Sequence, residues 1–245
     1  MNRGSLARLL GFQPIDLHSV DSLTRGIRTQ DGVKLEELYL KEMGDPTPSE
    51  DRYGNIPCTL LHSTEVSERI ALIYLQAAET APLLDVASWL KEVIGSGVIV
   101  LSMRISQDGA LGRMVTRVSK GVSYLTLRRD LVDYRQIVLW GRGEPGVWGL
   151  LAAILDERAS GVVLETPPRE LSVGGSEVLR TADVCALLLP RRLAVIGLPD
   201  SETAFEGTRL AYAREGNTEA VRFETNKRHG VRNEVLRWML QRRSE

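Results

Sequence analysis

The stretch "IVLWGRGEPGVWGLLAAILD", residues 137–156, decides how the rest of the chain is read. It opens on an apolar run ending at Trp140, with the length and composition of a buried strand. Gly141, Gly143 and Gly146 then interrupt it, and the chain continues as an almost wholly apolar run of helical length. A strand over 136–140, a tight turn and a helix over 146–155 are expected. Such a turn lies at the carboxyl end of a strand, which is where open parallel sheets bind their ligands.

The alternation extends in both directions. Downstream, "SGVVLE" (160–165) reads as a strand and is followed by a loop carrying Pro167, Pro168, Gly174 and Gly175. Then come a helix near 181–189, a strand "RLAVIGL", a helix over about 202–214, a strand "AVRFET", and a last helix with Val231, Val235, Trp238 and Met239 on one side. Upstream lies a helix near 114–127, preceded by "GVIVLSM", a nearly all-apolar strand of the kind covered on both faces in a parallel sheet. Before that, "PLLDVASWLKEVIG" gathers Leu83, Val86, Ala87, Leu90, Val93 and Ile94 on one helical face, and "IPCTLLHS" and "RIALIYLQ" read as strands. "EMGDPTPSEDRYGN" (42–55) is a surface loop, and "GIRTQDGVKLEELYL" alternates around Asp-Gly as a hairpin does. The expectation is a three-layer α/β domain spanning 1–245, its sheet mostly parallel with an N-terminal antiparallel portion. Residues 1–55 form a helix and hairpin extension packed on it.

With 245 residues and 43% hydrophobic content, the chain has material for one large core. Its 31 Lys and Arg nearly balance 32 Asp and Glu, so no global field favours nucleic acid or an anionic membrane. Only the segment from Asn226 to Glu245 is basic, and it reads as a solvated helical face. Cys58 and Cys185 have no metal-ligand spacing around them and read as buried thiols, with a disulfide as the alternative. "MNRGSLARLLGFQP" has no signal-peptide pattern, and no uncharged apolar run approaches the ~20 residues of a membrane span. A soluble, cytoplasmic chain is the default expectation, with no cofactor or metal; self-association or a protein partner stays open.

Two chemistries use a turn of this kind. Gly141, Gly143 and Gly146 match G-x-G-x-x-G, with Glu165 about where a ribose-binding acid would stand in a dinucleotide fold. Against this, Glu144 places an anion in the turn, Pro145 removes a donor, and several strands precede the motif. The other chemistry is a nucleophile elbow, G-x-Ser-x-G, in which small residues let a strained turn lift a serine above the sheet. Laid on this chain, the serine position is Gly143. An acid after a late strand and a histidine after the last one complete such a site, and Asp200 in "RLAVIGLPDS" and His229 in "VRFETNKRHG" occupy those places.

From about Gly26 onward the chain resembles the acetyl xylan esterase and dienelactone-hydrolase-like branch of the α/β-hydrolases. The resemblance is carried by "IPCTLLHS" with "IALIYLQ", "LGRMVTRVSKGVSYL", the elbow segment through Glu165, "VLRTADVCALLLPRRLAVIGLPDS" and the terminal "RHG". It implies a three-layer α/β-hydrolase fold with a triad at 143, 200 and 229, acting on a small ester or carbohydrate-derived ligand. Three departures stand out. The serine is missing, and Ser96, Ser123 and Ser176 follow glycines outside the pattern. "LQAAETAP" lacks the glycine cluster that shapes an oxyanion hole. Residues 102–112 hold no D-x-R-G, with Arg104 and Asp108-Gly109 as its nearest trace. A degenerate esterase is therefore expected. Glu144 is a substitute nucleophile one residue out of register. Asp200 has an alternative role as a helix N-cap, His229 as a cap or surface residue, and His18, His62, Trp140 and Trp148 as surface or core residues. A binding or scaffolding domain and a nucleotide-binding turn remain the other readings.

Overall fold

A computed structural model describes residues 1–15, 20–41, 55–65, 70–79, 88–107, 109–133, 136–174, 177–225 and 230–241. A nine-stranded sheet runs through them in the order β1-β2-β3-β5-β4-β6-β7-β10-β11. Its first three strands, β1 (Ser22–Gln30), β2 (Val33–Lys41) and β3 (Asn55–Ser63), are antiparallel, and β3 also pairs antiparallel with β5 (Ile99–Ile105). From β5 onward every pairing is parallel, through β4 (Ala71–Ala77), β6 (Ile137–Arg142), β7 (Ala159–Glu165), β10 (Arg192–Ile196) and β11 (Val221–Glu224). The β1–β2 hairpin turns at Asp31 and Gly32, both at positive φ (52° and 74°), as the Asp-Gly signal requires.

The sheet separates two cores, which explains why its central strands read as unbroken apolar runs rather than alternations. In β4, Ala71, Ile73 and Leu75 face one core, while Leu72 and Tyr74 face the other. The larger core lies under α1 (Arg3–Leu10), α3 (Leu111–Leu127), α4 (Glu144–Leu155), α5 (Thr181–Cys185) and α7 (Glu206–Arg214). The smaller is closed by α2 (Ser88–Gly95) and α8 (Val231–Leu240), through Trp89, Leu90, Val93, Ile94, Val231, Val235, Leu236 and Met239. Helix α1 opens with an Asn2 side chain accepting from the Ser5 N–H and closes on Gly11 at φ 61°, and its Leu6 and Leu10 enter the larger core. Three layers result.

Several boundaries differ from the sequence reading. The segment expected as a loop after Pro168 forms a hairpin of β8 (Glu170–Gly174) and β9 (Glu177–Arg180); strands this short carry too little alternation to register against flanking Pro and Gly. The helix expected over 202–214 is broken at Phe205 into α6 (Ser201–Ala204) and α7, with Phe205 itself buried. The one near 181–189 stops at Cys185 and ends in a 3₁₀ turn, Ala186–Leu188. Helix α4 begins two residues early because Pro145 is tolerated in a first helical turn. Cys58 and Cys185 are both buried free thiols, and burial pushes their pKa values well up.

Candidate active site at the strand crest

The parallel strands end in register. Arg142 of β6 lies opposite Glu165 of β7, Glu165 opposite Ile196 of β10, and Ile196 opposite Glu224 of β11. The crest is laced by three backbone bonds: Gly143 N–H to Glu165 O at 2.8 Å, Thr166 N–H to Ile196 O at 2.8 Å, and Gly197 N–H to Glu224 O at 2.7 Å. The turns bearing Gly143 and Asp200 follow from this level.

Gly143 tops β6 with φ 68° and ψ −140°, a conformation strongly favouring glycine, and caps α4. A Cβ there would meet nothing within 4 Å, so space exists for a side chain although the backbone disfavours one. The flanking glycines have the opposite constraint. A Cβ on Gly141 would fall 2.4 Å from Gly146 N, and one on Gly146 would fall 2.5 Å from Gly141 O. Strand and helix touch backbone to backbone, and the turn between them is correspondingly sharp. Thr166, at the end of β7, is also at positive φ, 47°.

Glu144 begins α4 as an exposed side chain, where its charge suits the helix N-terminus. Asp200 follows β10 and does occupy the N-cap of α6, but its side chain makes no capping bond; instead it accepts from Arg169. The capping role weighed for it is thus replaced by an ion pair. His229, His18, Ser176 and Asp108 lie outside the described residues. His62 is buried, with Nδ1 2.8 Å from Ser63 O and Nε2 3.7 Å from Glu36 Oε1, so it has an acidic neighbour that sequence spacing did not reveal. Ser96 and Ser123 serve structure: Ser96 Oγ donates to Val93 O, and Ser123 Oγ accepts from Arg158.

Glu165 sits beside the Gly143 turn and is almost wholly buried. Its carboxylate accepts from Arg232 at 2.5 and 3.2 Å and from Trp140 Nε1 at 3.5 Å, while Arg232 also lies over the Trp89 ring at 5.5 Å. The acid considered for a ribose is committed to tying α8 to the sheet. Trp140 is fully buried against Trp89 (ring centroids 5.1 Å apart) and Trp148 lies in the larger core, so neither stacks on a ligand. Arg169 and Arg232 escaped the sequence reading because their partners lie 31 and 67 residues away. Among the described residues, no three His, Cys, Asp or Glu side chains gather as a metal site, and no helix is long and apolar enough to cross a membrane.

No protein-family model and no curated protein matches the sequence. Solved structures do match its fold. A putative acetyl xylan esterase from Bacteroides fragilis superposes with a TM-score of 0.69 at 12% identity, over 92% of this chain and 73% of the other. A glucuronoyl esterase from Solibacter usitatus gives 0.70 at 10% identity, over 97% and 91%. An acetyl xylan esterase from Paenibacillus sp. R4 gives 0.63 at 11% identity, over 97% and 92%. The chain has the α/β-hydrolase fold of these esterases, with its mixed sheet and antiparallel N-terminal strands.

Proposed function

We propose that this chain is a degenerate member of the esterase-like α/β-hydrolases, retaining the elbow but not its nucleophile, with ester hydrolysis weak or absent. The observation carrying this is the backbone of Gly143: φ 68° and ψ −140° at the top of the central strand. In a working site of this design a serine there attacks an ester carbonyl, the histidine takes its proton, and the acid orients the imidazole. Gly143 offers a hydrogen atom, so no acyl-enzyme forms from that position. Asp200 and His229 remain as the acid and base positions, able at most to polarise a water. The Arg169 ion pair supports the same reading, since it engages the carboxylate that would otherwise orient an imidazole. Exposed Glu144 is a poor substitute because it is already within the first helical turn. A small ester or carbohydrate-derived molecule is the ligand class, by likeness to esterases, and a purely binding role follows if the crest keeps its affinity without its chemistry.

The test is a fluorophosphonate probe together with p-nitrophenyl acetate, applied to wild type and Gly143→Ser. Wild type should remain unlabelled with hydrolysis near the blank, and the variant should become labelled at position 143. Adding Arg169→Ala to Gly143→Ser should raise turnover further by releasing Asp200. Strong labelling of any wild-type serine would sink the reading.

A further inference from the structure

On the N-terminal side of the sheet, the face formed by β1, β2, β3 and β5 bears a cavity of about 280 Å³. None of Gly143, Glu144 and Asp200 lines it. Thr59 lies between Glu37 and Ser102 in the strand register and sets a hydroxyl on the floor beside buried Leu35 and Leu61, while the buried Ser102 hydroxyl donates to Gln76 Oε1 at 3.2 Å. Among the described residues its lining holds three guanidinium groups, from Arg25, Arg28 and Arg104, and one carboxylate, Glu37. Arg28 and Glu37 satisfy each other at 3.3 Å, which leaves two cations in excess.

The two excess cations are placed by distinct devices. Arg25 falls at the irregularity where β1 slips register between Thr24 and Gly26, and its guanidinium lies 4.9 Å from the centroid of the Tyr39 ring. A bulge re-aims a side chain that a regular strand would direct elsewhere. Arg104 is half-buried on β5 and makes no hydrogen bond or ion pair with any described residue. A partly desolvated guanidinium without an acceptor is costly, and its planar fork of donors suits carboxylate or phosphate oxygens.

We infer that this cavity is a binding site for a small oxyanion, a carboxylate or a phosphate, held by Arg104 and Arg25, with the Thr59 hydroxyl and the Leu35–Leu61 floor meeting the rest of the ligand. The Arg28–Glu37 pair forms its rim. Small-molecule sites of this kind combine an apolar floor with a few convergent polar groups. The inference is independent of the elbow reading.

Isothermal titration at low ionic strength, with inorganic phosphate and with malonate as separate probes, tests it. At least one should bind saturably and weaken as NaCl rises; saturation by phosphate alone identifies a phosphoryl ligand and by malonate alone a carboxylate. Arg104→Gln should weaken binding tenfold or more. Arg25→Gln, at an exposed position that does not threaten folding, should weaken it severalfold. Glu37→Gln should tighten it by freeing Arg28, and Arg209→Gln on α7 should leave it unchanged. Absence of saturable binding by both probes, or equal affinity in wild type and Arg25→Gln, would overturn the site.

Discussion

Gly141 and Gly143 are two residues apart yet constrained for different reasons, and the difference is measurable. An Ala at 141 would drive its Cβ to 2.4 Å from Gly146 N, a backbone atom that cannot swing aside. At 143 the Cβ would have open space and only the backbone conformation opposes it. Chemical denaturation should therefore find Gly141→Ala destabilised by about 3 kcal/mol or more, at the upper end of overpacking effects, and Gly143→Ala by about 1–3 kcal/mol of local strain. A reversed order would contradict this description of the turn. The glycines were legible in the sequence because a close approach requires them in a fixed pattern. What occupies the neighbouring positions was not: Arg169 and Arg232 belong to separate segments, and only the assembled crest brings them to Asp200 and Glu165.

Helix α8 illustrates what periodicity reveals and what it omits. Val231, Val235, Trp238 and Met239 are readable as one side; Val231, Val235 and Met239 close the smaller core, and Trp238 packs half-buried against it. Its anchoring was not readable, because it depends on side chains from the sheet. Arg232 in the first turn reaches Glu165, and at the other end Arg192 of β10 donates through Nη1 to the carbonyls of Trp238 (2.5 Å), Met239 (3.0 Å) and Gln241 (2.6 Å). These are carbonyls that a helix C-terminus cannot satisfy internally, so one guanidinium serves as its cap. Arg192→Met should remove it at a cost of about 1–3 kcal/mol. Hydrogen exchange should then accelerate over 236–241 while α4, buried along its length, keeps its protection. Uniform loss across both helices would mean that Arg192 supports the sheet rather than the end of α8.

Across the sheet, the parallel half was the more legible because strands covered on both faces read as apolar runs between helices. The antiparallel half carries its information in cross-strand pairs that one-dimensional patterns do not reveal, and Glu36 is the clearest case. Buried on β2, it accepts from Lys34 at 3.0 Å and from Arg128 at 3.2 Å, joining the N-terminal hairpin to the C-terminal end of α3. Burial alone would raise its pKa, but the Lys34 and Arg128 hydrogen bonds and charges outweigh it and hold the carboxyl below its ordinary 4.5. Because the folded value is the lower one, the unfolded chain takes up the proton first. The stabilisation from Glu36 is therefore complete above about pH 4.5 and disappears as pH falls through the folded value. Glu36→Gln should lower stability at neutral pH and flatten its decline below pH 4.5, whereas Asp21→Asn, which removes an exposed pair with Lys41, should change either little. Urea midpoints measured across about pH 3 to 7 would reveal it as a difference between the two variants' slopes. Parallel slopes would mean that the hairpin is held to α3 by packing alone.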